Sequence, residues 1–180
     1  MDNESERGNQ SDWEDDQTNQ AVTNDPQNDG EQAENLESKQ ITTITGDVHC
    51  RHCKKVYQVS YHVRERFFEV ENVFVTPKKG LRERAHPVWT NPKPVRCELC
   101  GRDKAAKPVI ADRKSQINWL FLLLGKTLGY CTLEHLRNFC KHSKSPRTGA
   151  KDRVLYFTYM GLCKILEPNR ELFNRDSSCL

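Results

Sequence analysis

The sequence predicts an α+β fold, and three observations carry that expectation: two separated Cys-x-x-Cys pairs in strand-and-turn surroundings, a last third with helical periodicity, and a sharp change of composition near residue 40. The pairs are Cys50/Cys53 and Cys97/Cys100. Two sulfurs on a tight turn grip one side of a metal ion, and two such turns close a tetrahedral four-thiolate site. The expected architecture is therefore a small zinc-ribbon-like β element with an inserted helix, packed on a C-terminal bundle of about three helices. A single structural zinc ion would staple the ribbon.

The elements follow in order. Residues 1–40 hold 12 Asp/Glu against 2 Lys/Arg, a net charge of −10, whereas residues 41–180 carry +13. Apart from Trp13, Val22 and Leu36 this first stretch has almost no large apolar side chains, so it cannot bury enough surface to offset chain entropy and is expected to be a disordered acidic tail. Its acidity reads either as a solubilising device or as a segment that folds back on the basic domain and competes with an anionic partner. Residues 41–45, ITTIT, have strand character, and Gly46-Asp47 offers a turn before the first pair. Val56, Tyr57, Val59 and Tyr61 suggest a second strand. Val63, Phe67, Val70 and Phe74 recur at helical spacing and predict an amphipathic helix over 62–75, ended by Thr76-Pro77.

Residues 86–96 contain three prolines, which predicts an extended segment rather than a helix. Trp89 within it is expected to pack over the metal knuckles, the alternative being a stacking platform for a base. Residues 116–128 are apolar on nearly all sides and predict a buried helix. Thr132 suits the N-cap of a second helix reaching about His142, and residues 150–166 predict a third, closed by Pro168. The folded domain is thus placed at 41–168, with 169–180 as a loose tail.

The candidate metal ligands are Cys50, Cys53, Cys97 and Cys100. Gly101 after the second pair can take the positive φ that a thiolate knuckle prefers, whereas Lys54 stands at the matching place after the first. Arg51, Lys54, Lys55, Arg96 and Arg102 would offset the dianionic charge of a zinc held by four thiolates. Redox use is the competing reading, but a thioredoxin-like pair needs a helix start after a buried strand. His49 and His52 flank the first pair as weaker ligand candidates. Cys131, Cys140 and Cys163 read as small core residues, and Cys140 with His142 points to different faces of one helix, a poor nucleophile–base pair.

No other catalytic pattern emerges. Gly125-Lys126-Thr127 resembles the end of a phosphate loop, but Leu120 stands where the earlier glycine is required. Two basic runs, residues 78–84 and 141–153, could contact phosphates.

The segments INWLFLLLGKTLGYCTLEHLRNFCKH (117–142) and RTGAKDRVLY (147–156), with RAHPVW and both cysteine pairs, resemble a plant-restricted domain family of unknown function. The resemblance spans residues 41–168. It implies a plant protein, carries Cys50, Cys53, Cys97 and Cys100 over as the shared pairs, and assigns no catalytic residue.

The function expected from all this is a non-enzymatic, zinc-stabilised interaction module that presents a basic surface to an unidentified protein partner; the alternative is a nuclear regulator that binds nucleic acid through that basic surface. Residues 1–30 show no secretory signal, Cys179 is misplaced for prenylation, and the longest apolar run is far short of a bilayer span. A reducing interior, nucleus or cytoplasm, is the expected setting, with no membrane contact.

Overall fold

A computed structural model describes residues 41–75 and 83–174 of the chain. The acidic segment 1–40, most of the first basic run and Cys179 lie outside the described residues. Within them the expected α+β fold is present: a three-stranded antiparallel sheet in the order β2-β1-β3 beside a helical block.

Strand β1, Thr43–Cys50, pairs with β2, Val56–His62, from Thr43 opposite His62 to His49 opposite Val56. The expected turn at Gly46-Asp47 does not form, because both residues pair within the ladder, opposite Val59 and Gln58. Gly46 serves packing instead: a Cβ there would lie 2.4 Å from the Phe121 ring, so only a bare backbone lets that ring rest on the sheet. Strand β2 runs directly into helix α1, Val63–Val75, which buries Phe67 and Val70.

The proline-rich stretch departs from expectation. Pro87–Thr90 forms a short helix, α2, with Pro87 at its first turn, where a missing N–H is harmless; the imidazole of His86 accepts the Val88 N–H at 3.2 Å. Trp89 does not cover the knuckles. It is buried among the helices and stacks on Tyr159 at 3.9 Å between ring centroids, with Phe74 at 5.0 Å. Burial of a large apolar ring outweighed the local bias of the prolines.

After β3, Ala106–Pro108, the helical block begins. The apolar run yields only a six-residue helix, α3, Trp119–Leu124, followed by a 3-10 turn at Leu128–Tyr130. Gly125 and Lys126, the latter at φ 56, break what periodicity alone predicts as one longer helix. Gly129 is in turn forced by closeness, since a Cβ would sit 2.1 Å from the Trp89 carbonyl oxygen. Helix α4, Leu133–His142, starts where expected, with the Thr132 hydroxyl accepting the His135 N–H at 3.2 Å. Helix α5, Lys151–Leu166, contributes the buried Val154, Leu155, Tyr159 and Leu162. Where sequence reading placed a loose tail from 169, the chain up to Asn174 turns back through Glu171–Phe173 and buries Phe173 against Phe67 and Phe74.

Two apolar clusters result. The larger lies among the helices; the smaller holds Val48, Cys50, Cys97, Ala105, Ala106 and Phe121 behind the cysteine pairs. Phe121 comes from α3, so it joins the ribbon to the helical block, and Tyr61 of β2 stacks on it at 4.9 Å. Asn118 reinforces the joint, capping α3 through the Phe121 N–H at 3.1 Å while donating to the Thr45 carbonyl at 3.0 Å.

Candidate metal centre

The two cysteine pairs, 43 residues apart across positions 54–96, converge at one point. All four Sγ atoms lie within 4.8 Å of one another, with Cys50 and Cys100 at 3.8 Å and Cys53 and Cys97 at 3.9 Å. A disulfide would need about 2.05 Å, and all four are free thiols. A tetrahedron with metal–sulfur bonds of about 2.3 Å has edges of about 3.8 Å, which the Cys50–Cys100 and Cys53–Cys97 separations match, and the whole cluster is compact enough to hold one metal ion. The donor set fits: four soft sulfurs, two of them on fully buried residues, backed by an apolar cluster.

Both pairs adopt the same local structure. Cys50 donates its N–H to the Lys55 carbonyl (3.0 Å) and receives the Lys54 N–H on its own carbonyl (2.9 Å); Cys97 does the same with Arg102 and Gly101, at 2.9 Å each. Lys54 and Gly101 both have positive φ, so the lysine adopts the conformation that glycine takes without strain. The Cys50 sulfur accepts the N–H groups of His52 and Cys53 at 3.4 and 3.5 Å. The matching N–H groups of Leu99 and Cys100 serve Cys97. Burial would raise the Cys97 thiol, yet these N–H donors and the neighbouring sulfurs of Cys50 and Cys100 bring it down to about 6. Cys100 goes the other way: the Arg102 N–H favours its thiolate, but burial and the three other sulfurs push it up to about 11. Crowded sulfurs without a cation cannot all ionise, which is what a bound dication would relieve.

Several supports were not legible in the sequence. The Arg51 N–H bonds to Ala105 O at 2.9 Å, and Val95 bridges to Ala106, so both knuckles hang on the β3 approach. The Tyr57 hydroxyl accepts the Glu98 N–H at 3.2 Å, tying β2 to the second knuckle. Burial raises its pKa, the Glu98 N–H opposes the rise, and Cys97 beside it adds to it. Alternation along β2 could have placed Tyr57 on a face, but only the fold shows that this face meets Glu98. His49 pairs within β1 and β2, while the exposed His52 contributes its backbone N–H to the site.

The remaining sequence candidates lie elsewhere. Cys131, Cys140 and Cys163 are buried in the helical core. Burial pushes Cys131 up to about 12 against the pull of Lys151, raises Cys140 despite the Thr158 hydroxyl, and raises Cys163 further, with Glu71 adding to the effect. Cys140 contacts the Thr158 hydroxyl at 3.4 Å. Lys126 and Thr127 are engaged internally, the ammonium with Glu69 at 2.6 Å and the hydroxyl with Leu122 O at 3.2 Å. The second basic run is divided: Lys151 donates to Gly129 O at 2.7 Å and Arg153 pairs with Glu83 at 2.8 Å. Arg84, the end of the first run, pairs with Asp152 at 2.8 Å. Among the described residues no helix is long and apolar enough to cross a membrane.

No curated protein and no solved structure matches the chain. A family model described as a domain of unknown function (DUF7086) matches residues 33–166, about the span expected from the resemblance but starting eight positions earlier than 41. That match takes in both knuckles, the sheet and the five helices of the described residues. The chain therefore belongs to the family of that domain of unknown function.

Proposed function

We propose that the protein is a non-enzymatic interaction module in which Cys50, Cys53, Cys97 and Cys100 hold one structural zinc ion. The convergence of four sulfurs within 4.8 Å of one another, two of their separations near 3.8 Å, from two matching knuckles carries this reading. Four protein ligands leave no open position for substrate or water, so the metal would supply cross-linking rather than reactivity. The ligands crosslink β1 to the segment before β3, and in a small ribbon such a link replaces core that the sheet is too small to supply.

A protein partner suits the surface better than a polyanion does. Arg84, Lys151 and Arg153 are engaged within the molecule, which interrupts the basic runs as a phosphate track. Phe68 and Val75 on α1 are 61% and 58% exposed and could add apolar contact to such an interface. The setting is intracellular and, following the family resemblance, a plant cell.

Elemental analysis of the purified protein tests the metal: one zinc per chain is expected, and four free thiols without stoichiometric metal would refute the reading. Titration with DNA and RNA at low and moderate salt tests the partner class. A flat response is expected, whereas binding that weakens steeply with salt would favour a nuclear nucleic-acid-binding regulator.

A further inference from the structure

On the side of the helical block, α4 presents Glu134, Arg137, Asn138 and Lys141 at i, i+3, i+4 and i+7, one stripe of the helix. Opposite them runs the loop of Arg147, Thr148 and Gly149 that leads into α5, and Lys114 closes one end. Together they line a shallow, largely open concavity of about 530 Å³, so any ligand there is held by its charged rim rather than by enclosure. Four cations face it against one carboxylate. That carboxylate, Glu134, is engaged by Lys114, whose ammonium and hydrogen bond hold it below the usual carboxylate range. Among the described residues Lys141 and Arg147 make no ion pair, and Arg137 makes only a long contact with Gly149 O at 3.5 Å.

These charges differ in layout from a nucleic-acid track. Arg137, Lys141 and Arg147 converge on one hollow, while the flanking Lys151 and Arg153 are turned to other partners. Convergent guanidinium groups match a compact oxyanion with several acceptor oxygens, and their forks can each take two of them. A phosphate monoester carries close to two negative charges, against one for each phosphodiester of a nucleic acid, so it gains most from three clustered cations. The first turn of α5 adds nothing, since the Asp152 carboxylate already accepts the Arg153 N–H at 2.9 Å.

We propose that this concavity between α4 and the 147–149 loop binds a phosphate monoester dianion, with Arg137, Lys141 and Arg147 as its ligands and the Thr148 hydroxyl as a further donor. The group can be presented by a small phosphorylated metabolite or by a phosphorylated side chain of a protein partner. The site does not depend on the metal reading.

Amide chemical-shift titration of the full chain separates these cases. Inorganic phosphate should produce saturable shifts at Arg137, Thr148 and Gly149, with little change at Arg51 and Arg102, which border a second, smaller basic hollow at the knuckles. The exposed double variant R137Q/R147Q should lose about tenfold or more in affinity with unchanged melting and metal content. E134Q should bind more tightly. A sugar phosphate and a phosphoserine peptide, with its unphosphorylated twin as control, then identify the source by which binds tighter. Equal shifts at Arg51 and Arg102, an unchanged response in the double variant, or equal binding of the unphosphorylated peptide would overturn the proposal. So would a DNA duplex binding these residues more tightly than any monoester. Absence of zinc would appear in the metal analysis and leave the titration standing.

Discussion

Lys54 and Gly101 occupy the same left-handed position, at φ 60 and φ 68, each directly after its Cys-x-x-Cys pair and each donating its N–H to the carbonyl of the pair's first cysteine. The two knuckles are thus one structure built twice, and only one of them uses glycine. A side chain at positive φ stores about 1 kcal/mol or more of strain. K54G should therefore be neutral or modestly stabilising, by up to about 1 kcal/mol once the added freedom of the unfolded chain is deducted. G101A should destabilise by about 1 kcal/mol, although a Cβ there meets nothing closer than Arg96 at 3.5 Å. Denaturant melts of the two variants read both signs; equal effects would refute the equivalence.

Cys97→Ser and Tyr57→Phe separate a proposed ligand from its support. The first removes a sulfur and should abolish stoichiometric metal and melt the ribbon. The second removes only the hydroxyl that accepts the Glu98 N–H, and metal affinity should fall by about 10–100-fold with the sheet intact. Competition with a chromogenic chelator measures both. An unchanged affinity in Tyr57→Phe would show that the second knuckle is held by its own turn alone.

Phe121 is the joint between the ribbon and the helical block. Phe121→Ala should cost about 3–5 kcal/mol, the range for a truncated buried aromatic. Gly46→Ala attacks the same contact from the sheet side, because its methyl would overlap the ring. Thermal melts followed at the aromatic and the amide bands should show both variants loosening the sheet before the helices.

Acid should weaken the fold through two carboxylates that link distant segments. The Lys126 hydrogen bond, against some desolvation and with Arg66 assisting, holds Glu69 below its usual range; Arg84 does the same for Asp152. A folded pKa below the unfolded value means stability present above the ordinary carboxylate range and lost as pH falls through the folded pKa. Both pairs are solvent-accessible, so each effect is small. Melting temperature in E69Q and D152N should therefore fall less steeply with acid than in the parent, and parallel curves would exclude these pairs as its source.

Thiol accessibility gives a further check. Cys131, Cys140 and Cys163 are buried with raised pKa values, so alkylation at neutral pH should wait for unfolding. Mass mapping of modified peptides would show rapid labelling of these three if the helical core were open.

Much of the helical block was legible because its periodicity is strong and Thr132 marks a start that the structure uses. What failed was local inference where distant contacts decide. Three prolines argued against a helix, yet Pro87 sits at a first turn and Trp89 is drawn in by Tyr159. Gly46-Asp47 looked like a turn, but Gly46 is there to admit Phe121. Phe173, isolated near the end of the chain, carried no periodic signal, and its burial depends on rings of α1 that only folding brings near.

The sequence by itself determined the α+β class, the soft-sulfur chemistry and the two-plus-two spacing of the cysteines, because these depend on residue chemistry and on periods of a few positions. The tertiary structure decided that the four sulfurs meet, which is a matter of strand pairing across 43 intervening residues at positions 54–96. It also decided which cations stay available. A run of basic residues is only a composition until the fold pairs Arg84 with Asp152 and Arg153 with Glu83, leaving Arg137, Lys141 and Arg147 around one hollow. Charge is written in the chain, but its availability is set by neighbours that the chain order does not reveal.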